Sequence, residues 1–382
     1  MKIVHLSDLH IGLKLFNRDL REDQIYILDQ IVSLAAEEKP DAVVIAGDIY
    51  DKAVPSAEAV AIFDHFITSL SERLPKTEVM MISGNHDSAP RINIFRRLLS
   101  RQRIHMIGVP PMKEGEKIEK VVLRDQYGNV NFYLLPFVKP SMVKQITGVD
   151  ENGNNLSYDE AMHRLLKREA IDETERNVLV SHQFYLPAGT VAESIERMDS
   201  EICTVGNIDE VKADILEKFD YAALGHIHKP MKVGSEYARY CGTPLACSVS
   251  EAEQKKGVLL VELKEKGERQ IRVLPLHPLR QVKVIKGSLE EVLERACEDY
   301  VTVILTDKED LDVIDMQDRL RMAFPFLLEI RRETVRKVDY SRKSMEQMNI
   351  DPMTLCCSFL ADLDEEEKEL LKDVINCVQE VQ

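Results

Sequence analysis

The sequence has no tryptophan, and its 22 aromatic residues are eleven Phe and eleven Tyr among 382 residues. A platform of stacked aromatics for single-stranded bases is therefore a poor fit. Positive charge is also in short supply. Fifty Lys and Arg stand against 66 Asp and Glu, a formal net charge of −16. Binding of nucleic acid by bulk charge is excluded, although a local basic patch is not. No apolar run reaches the ~18 residues needed to span a bilayer. The opening MKIVHLSDLHIG lacks the apolar stretch and small-residue cleavage site of a signal peptide. No membrane association is expected. None of the seven cysteines forms a CxxC pair, so reduced thiols in a cytoplasmic protein are expected.

What the sequence does contain is enough apolar material for a core, 44% against 30% charged residues. At roughly 150 residues per domain the length suits two to three domains. The first half alternates short β-like runs with helical patterns. Lys2–Leu6, Asp41–Ala46 and Val79–Ser83 read as strands; Arg21–Ala36, Ser56–Leu74 and Asn93–Leu99 read as helices. The helix after Pro55 takes Ser56 as its N-cap, and its stripe of Val60, Phe63, Phe66, Ile67 and Leu70 reads as core. This rhythm predicts an α/β sheet covered on both faces. A strand-rich stretch follows, including Asn177–Ser181, Tyr221–Leu224 and Val258–Leu263. A boundary falls near Pro275–Pro278. Beyond it, strand (Gln281–Ile285), helix (Ser288–Glu298), strand (Val301–Leu305), helix (Val313–Ala323) and strand (Leu327–Arg332) form a small α/β module. The expected division is 1–277, 278–337 and a helical segment 338–382.

Five of the strand candidates end in the same kind of residue. Lys2–Leu6 runs into Asp8-x-His10, Asp41–Ala46 into Gly47-Asp48 with Asp51 beyond, and Val79–Ser83 into Gly84-Asn85-His86-Asp87. Asn177–Ser181 runs into His182, and Tyr221–Leu224 into Gly225-His226-x-His228. Ligands of α/β sheets sit beyond the carboxyl ends of strands. In Asp8-x-His10 and His226-x-His228, residues two apart lie on one side of an extended segment and can reach one centre. The glycines before Asp48, Asn85 and His226 permit sharp turns and close backbone approach. Carboxylate, amide and imidazole together suit Mn²⁺, Fe²⁺ or Zn²⁺ better than Ca²⁺ or Mg²⁺, and the absence of Cys argues against a structural zinc site. Asp8, His10, Asp48, Asn85, His182, His226 and His228 are too many donors for one ion. Two ions about 3.5–4 Å apart, bridged by one carboxylate, would use them all and suit phosphoester hydrolysis. Asp51 reads equally as a solvated loop carboxylate or as a group that supports the metal ligands from behind or lies on the substrate side. Asp87 is placed to orient His86 through a hydrogen bond. His5, His65, His105, His163 and His277 have no such company and read as ordinary core or surface residues.

The order DxH, GDxxD, GNHD, H, GHxH resembles the calcineurin-like metallophosphoesterase family. The wider segments SDLHIG, GDIYD, GNHDS, SHQFYLPAG and GHIHKP with YCGTPLACSVSE look like its bacterial nuclease subunits, which process DNA double-strand breaks and hairpins in recombination and replication. The resemblance implies a β-sandwich flanked by helices, with a small α/β capping domain and a C-terminal helical segment. It assigns Asp8, His10 and His228 to one metal and Asn85, His182 and His226 to the other, with Asp48 bridging and Mn²⁺ preferred. His86 would sit beside the scissile phosphate as the catalytic residue, stabilising the transition state or protonating the leaving oxygen. The same resemblance implies exonuclease and endonuclease activity on DNA ends, single strands and hairpins, in the nucleoid. It implies a homodimer within a heterotetramer with an SMC-like, ABC-type ATPase, docked through Asp351–Val381. The chain has no GxxxxGK[ST] loop, so any ATP dependence must come from that partner.

No residue is assigned to DNA contact. Two basic clusters are candidates: Arg91, Arg96, Arg97, Arg101 and Arg103, and then Arg331, Arg332, Arg336, Lys337, Arg342 and Lys343. For each Arg of the first cluster a solvated helix face is the slightly favoured alternative. The two-metal chemistry would equally serve a phosphodiesterase or phosphatase for small molecules or proteins; the small module and the basic clusters favour DNA. A metal-stabilised scaffold without catalysis is disfavoured by the intact His86.

Overall fold

The computed structural model describes residues 1–187, 190, 198–201, 209–307 and 313–333, with 367, 368 and 371. The basic residues Arg336, Lys337, Arg342 and Lys343 and almost all of Asp351–Val381 lie outside the described residues. Met1–Glu333 forms one compact unit, and Thr334–Gln382 a second.

Two six-stranded sheets make up the larger part of the first unit. The first runs Arg269–Pro275, Gly257–Leu263, Lys2–Leu6, Ala42–Ala46, Glu78–Ile82, Ile104–Ile107 across its width. Its last four strands are parallel, and Gly257–Leu263 pairs antiparallel with Lys2–Leu6, Val4 opposite Leu260. The second runs Met231–Val233, Ser235–Tyr240, Tyr221–Gly225, Arg176–His182, Gly128–Leu135, Glu119–Asp125. Its four central strands are parallel, with antiparallel strands at both edges.

The sheets pack face to face. Ile3, Val44, Met80 and Ile82 of the first interdigitate with Phe132, Leu134, Val178, Val180 and Tyr221 of the second. The opposite face of the first sheet is covered by α1 (Arg21–Glu38) and α2 (Ala57–Arg73). That of the second is covered by α3 (Pro140–Thr147) and α4 (Tyr158–Lys167). Central strands are thus buried on both faces, which is why Ala42–Ala46 is apolar at every position.

Local chemistry sets the helix limits. Ser56 accepts a hydrogen bond from the Ala59 amide at 3.2 Å and caps α2. α1 stops at Lys39, whose φ of +52° is left-handed. Two expectations change. In α2 the buried stripe is Ala59, Ile62, Phe63, Phe66 and Leu70, while Val60 lies on the solvent side at 46% exposure. The expected helix Asn93–Leu99 is two single turns, Ala89–Ile92 and Arg96–Leu99, broken where Phe95 takes a φ of +58°.

The small module belongs to the same compact unit. Its parallel sheet Val282–Gly287, Tyr300–Leu305, Leu327–Arg332 packs one face on Leu289–Leu293 and Val313–Ala323. The first of these helices opens with a reciprocal capping box between Ser288 and Glu291 and is shorter than the expected Ser288–Glu298. The other face puts Val282 and Tyr300 against Leu15, Leu20, Val249 and Ala252 of the sandwich.

Candidate metal centre

The five strands that carry the sequence motifs are all parallel central strands, three from one sheet and two from the other. Their carboxyl ends meet at one edge of the sandwich, and all seven expected donors come together there. Asp8, His10, Asp48, His182, His226 and His228 are buried, whereas Asn85 and His86 are half-buried and mark the open side.

Tight turns hold the ends in register. The Asp8 amide donates to Gly47 O and the His10 amide to Asp48 O, each at 3.0 Å. Asp8, His10, Asp48 and His226 all have positive φ, +53°, +43°, +49° and +107°. Four non-glycine residues in that region at one site are strain retained where geometry serves function. Gly47 has φ +88°, and a Cβ there would come within 2.3 Å of His182 Nδ1.

The donors form two groups. Asp8, His10 and His228 lie together, and the two Nε2 atoms of the histidines face each other at 3.1 Å. Among the described residues Asp8 Oδ2 is buried without a hydrogen-bond partner. In the second group Asn85 Oδ1 lies 2.9 Å from His182 Nε2 and 3.0 Å from His226 Nδ1. Asp48 Oδ2 stands 3.3 Å from His182 Nε2 and 3.7 Å from His10 Nε2, and so faces both groups. The His182 Nδ1–H is directed to the Ala46 carbonyl at 2.8 Å, which turns Nε2 toward Asn85 and Asp48 and makes it the nitrogen whose proton a cation would replace. Lone pairs and carboxylates converging on two buried points, one with an orphaned oxygen, fit a pair of divalent cations.

The electrostatics agree. Burial alone would raise the Asp48 carboxyl, but His182, His10 and His86 hold it well below the usual carboxylate range. Burial disfavours the His182 and His10 imidazolium forms, yet nearby carboxylates more than offset it. His182 is raised to about 9 by Asp48 and Asp8, and His10 is raised by Asp51, Asp48 and Asp8.

His86 is oriented differently from expectation. Its Nδ1 donates to the Asp51 backbone carbonyl at 2.9 Å, and its amide donates to Asp48 Oδ1 at 2.9 Å. Asp87 does not hold His86. Its carboxylate accepts from the amides of Ile49, Tyr50 and Gly84 at 2.9–3.0 Å, tying together the turns after two strands. Burial and the Asp48 charge push Asp87 up to about 6 against those three donors. The Asp51 carboxylate stands 3.7 Å from His10 Nδ1.

Four residues behind His228 escaped the sequence reading. Ser200 Oγ lies 2.8 Å from both His228 Nδ1 and Glu251 Oε1. Glu251 is buried in an ion pair with Lys256 at 2.6 Å, and Thr243 bonds to both. Burial would raise the Glu251 carboxyl, but His228 and Lys256 hold it well below its usual range. The letters carry little signal, because Glu251 and Lys256 lie in the stretch EAEQKK, where Glu253 and Lys255 look no different. In the first basic cluster, Arg96 and Arg103 are paired with Glu119 and Glu78, as on an ordinary surface.

The calcineurin-like phosphoesterase family matches residues 1–230, and a family described as "Type 5 capsule protein repressor C-terminal domain" matches 275–367. The chain is 30% identical over 367 residues to the D subunit of the nuclease SbcCD of Staphylococcus saprophyticus, covering 94% of this chain and 92% of that one. It is 29% identical over 335 residues to the protein of the same name from Staphylococcus epidermidis, covering 86% and 84%. A dimetal phosphatase from Danio rerio aligns over 73% of this chain and 98% of its own, with 14% identity and a TM-score of 0.39. With relatives matching over nearly its whole length and every motif residue present at the strand ends, the chain belongs to the calcineurin-like phosphoesterase family, and within it to the SbcD nuclease subunits, which are metal-dependent nucleases.

Proposed function

We propose that this chain is a Mn²⁺-dependent DNA nuclease subunit that cleaves phosphodiesters endo- and exonucleolytically at ends, single strands and hairpins, in double-strand-break processing, recombination and replication. The observation that carries this reading is the convergence of seven donors from five strand ends around two points, with His86 on the open side. Asp8, His10 and His228 would hold one ion and Asn85, His182 and His226 the other, with Asp48 between them. When bound, such ions polarise phosphoryl oxygens and lower the pKa of water.

The chain's own groups do the rest. The buried donors exclude bulk water from one side of the phosphate. Asn85 and His86 meet the substrate from the exposed side. Because the Asp51 carbonyl can only accept, the His86 Nδ1 carries a proton and the ring is fixed in one orientation. Water attacks phosphorus in line and passes its proton to solvent; as the P–O3′ bond breaks, a His86 protonated on both nitrogens keeps Nδ1–H on the Asp51 carbonyl and gives its Nε2 proton to the leaving oxygen. Asp51 and Asp87 act indirectly, Asp51 by orienting His86 and Asp87 by pinning the two turns.

The names of the relatives place a D subunit in a complex called SbcCD. We carry this over as a dimer of this chain with an SMC-like, ABC-type ATPase in the cytoplasm, associated with the nucleoid. In this reading, residues 1–277 form the nuclease domain, 278–337 cap the DNA, and 338–382 dock on the partner. Among the described residues no helix is long and apolar enough to cross a membrane.

The test is cleavage of labelled single-stranded and hairpin DNA with Mn²⁺, alone and with the ATPase. The wild type should cut, EDTA should abolish cutting, and His86→Ala should lower the rate about 10²–10⁴-fold with the metals still bound. Hydrolysis of small phosphodiesters with no DNA cleavage in either setting would overturn the assignment of substrate.

A further inference from the structure

The two donor groups are held in different ways. Around Asn85, His182 and His226, the strand ends themselves supply support, through Ala46 O, Asp8 and Asp48. Both histidines of the other group lean on residues whose chain neighbours meet the small module. The Gln24 side chain donates to His10 O at 2.8 Å and accepts from the Gly12 amide at 3.0 Å, closing the loop that presents His10. Its neighbour Asp23, buried in the first turn of α1, accepts from Tyr300 Oη at 2.7 Å and from Arg280 at 2.8 Å. Arg280 also pairs with Glu22 at 2.6 Å and lies over the Phe326 ring at 4.4 Å. Tyr300 and Phe326 belong to the module.

His228 has the second link. A carboxylate only accepts, so the chain of donors runs from His228 Nδ1–H to Ser200 Oγ and from Ser200 O–H to Glu251. That fixes the tautomer whose Nε2 lone pair faces the site. Glu251 sits in a short 3₁₀ turn, Val249–Glu251, and the flanking Val249 and Ala252 pack with Val282 and Tyr300 of the module. Between the two parts lies a cavity of about 470 Å³ lined by Asp23, Glu251, Lys256, Arg280 and Tyr300. The seam is therefore not filled by close packing, and its polar contacts set the seat of the module.

We infer that the seat of the small module selectively stiffens the Asp8/His10/His228 ion site, with Glu251 and Gln24 as positioning residues that carry the module's docking to the two histidines. This rests on the metal assignment proposed above. A partner or substrate that displaced the module would loosen one ion and leave the other in place.

The experiment is Mn²⁺ titration of the full chain by calorimetry and electron paramagnetic resonance. It compares wild type, Glu251→Gln, Tyr300→Phe, His228→Ala and His182→Ala. The wild type should bind two ions. Glu251→Gln and Tyr300→Phe should each weaken one of them about 10–100-fold. It should be the ion lost in His228→Ala, with the ion lost in His182→Ala unchanged. Should Glu251→Gln fail to fold, Tyr300→Phe, which removes a single hydroxyl from the module and none of the metal donors, decides alone. Unchanged affinities in Tyr300→Phe, or equal weakening of both ions, would overturn the inference. A wild type that binds fewer than two ions would overturn the metal assignment, and the inference with it.

Discussion

Gly84 is packed so that a Cβ on it would fall 2.1 Å from Asp48 Oδ1 and 2.4 Å from the Asp48 amide nitrogen. Neither neighbour can retreat freely. Asp48 has a φ of +49°, its Oδ1 accepts from the His86 amide, and its Oδ2 faces both histidine groups. A single methyl here therefore displaces the carboxylate proposed to bridge the ions. Gly84→Ala is expected to cost about 1–3 kcal/mol in urea unfolding and to weaken both ions together in a Mn²⁺ titration. A variant with wild-type stability and affinity would show that the Asp48 turn is softer than its hydrogen bonds imply. The motif reading anticipated close approach at this glycine from the letters GNHD alone. It misassigned the neighbouring Asp87, because two of the three backbone amides that claim its carboxylate come from a turn 37 and 38 residues away and the third from its own glycine.

The strand Lys2–Leu6 shows at the scale of an element what a sequence can and cannot disclose. Its alternation is hidden because both faces are buried: Val4 and Leu6 meet the helices, while Ile3 meets the second sheet. His5 points the same way as Ile3 and bonds through Nδ1 to Tyr221 Oη at 2.7 Å across the sandwich. Motif strands were legible within a residue or two, since apolar runs ending in Asp, Asn or His mark both strand and site. Glu251 and Ser200 were not legible, since their value depends on His228, which lies far from both in sequence. The break at Phe95 was equally hidden, as nothing in Ile94-Phe95-Arg96 announces a left-handed residue.

Burial pushes the His5 imidazole down to about 3 from its ordinary 6.5. Between those values the unfolded chain binds a proton that the folded one refuses. The stabilisation is thus fully present above about 6.5 and is lost as pH falls toward 3. At 1.36 kcal/mol per unit, this one group withdraws roughly 3–5 kcal/mol across the window. Urea unfolding of His5→Gln between pH 7 and 4 should show a shallower loss than wild type. Parallel curves would mean that His5 takes up its proton without unfolding the sheet.

For the whole molecule, charge dominates. A chain of net charge −16 gathers Asp8, Asp48, Asp51 and Asp87 around one edge of a sandwich, where imidazoles face Asp48 and Asp51. Two divalent cations would relieve that repulsion, and they would bind only the folded edge, because the unfolded chain scatters its five donor segments over some 220 residues. Ligand at 100 times its dissociation constant stabilises by about 2.7 kcal/mol per site, so millimolar Mn²⁺ should raise the melting temperature by several degrees and EDTA should reverse it. The four imidazoles make the gain dependent on the ion. Ca²⁺ prefers six to eight oxygens, and at equal concentration it should give a much smaller rise. His182→Ala should abolish part of the Mn²⁺ response and His10→Ala another part, because each removes a donor from a different group. Equal stabilisation by Ca²⁺ and Mn²⁺ would mean that the acidic edge attracts cations only as a field, with no built coordination. No response to either ion would remove the physical reason for gathering seven such donors at the meeting point of two sheets.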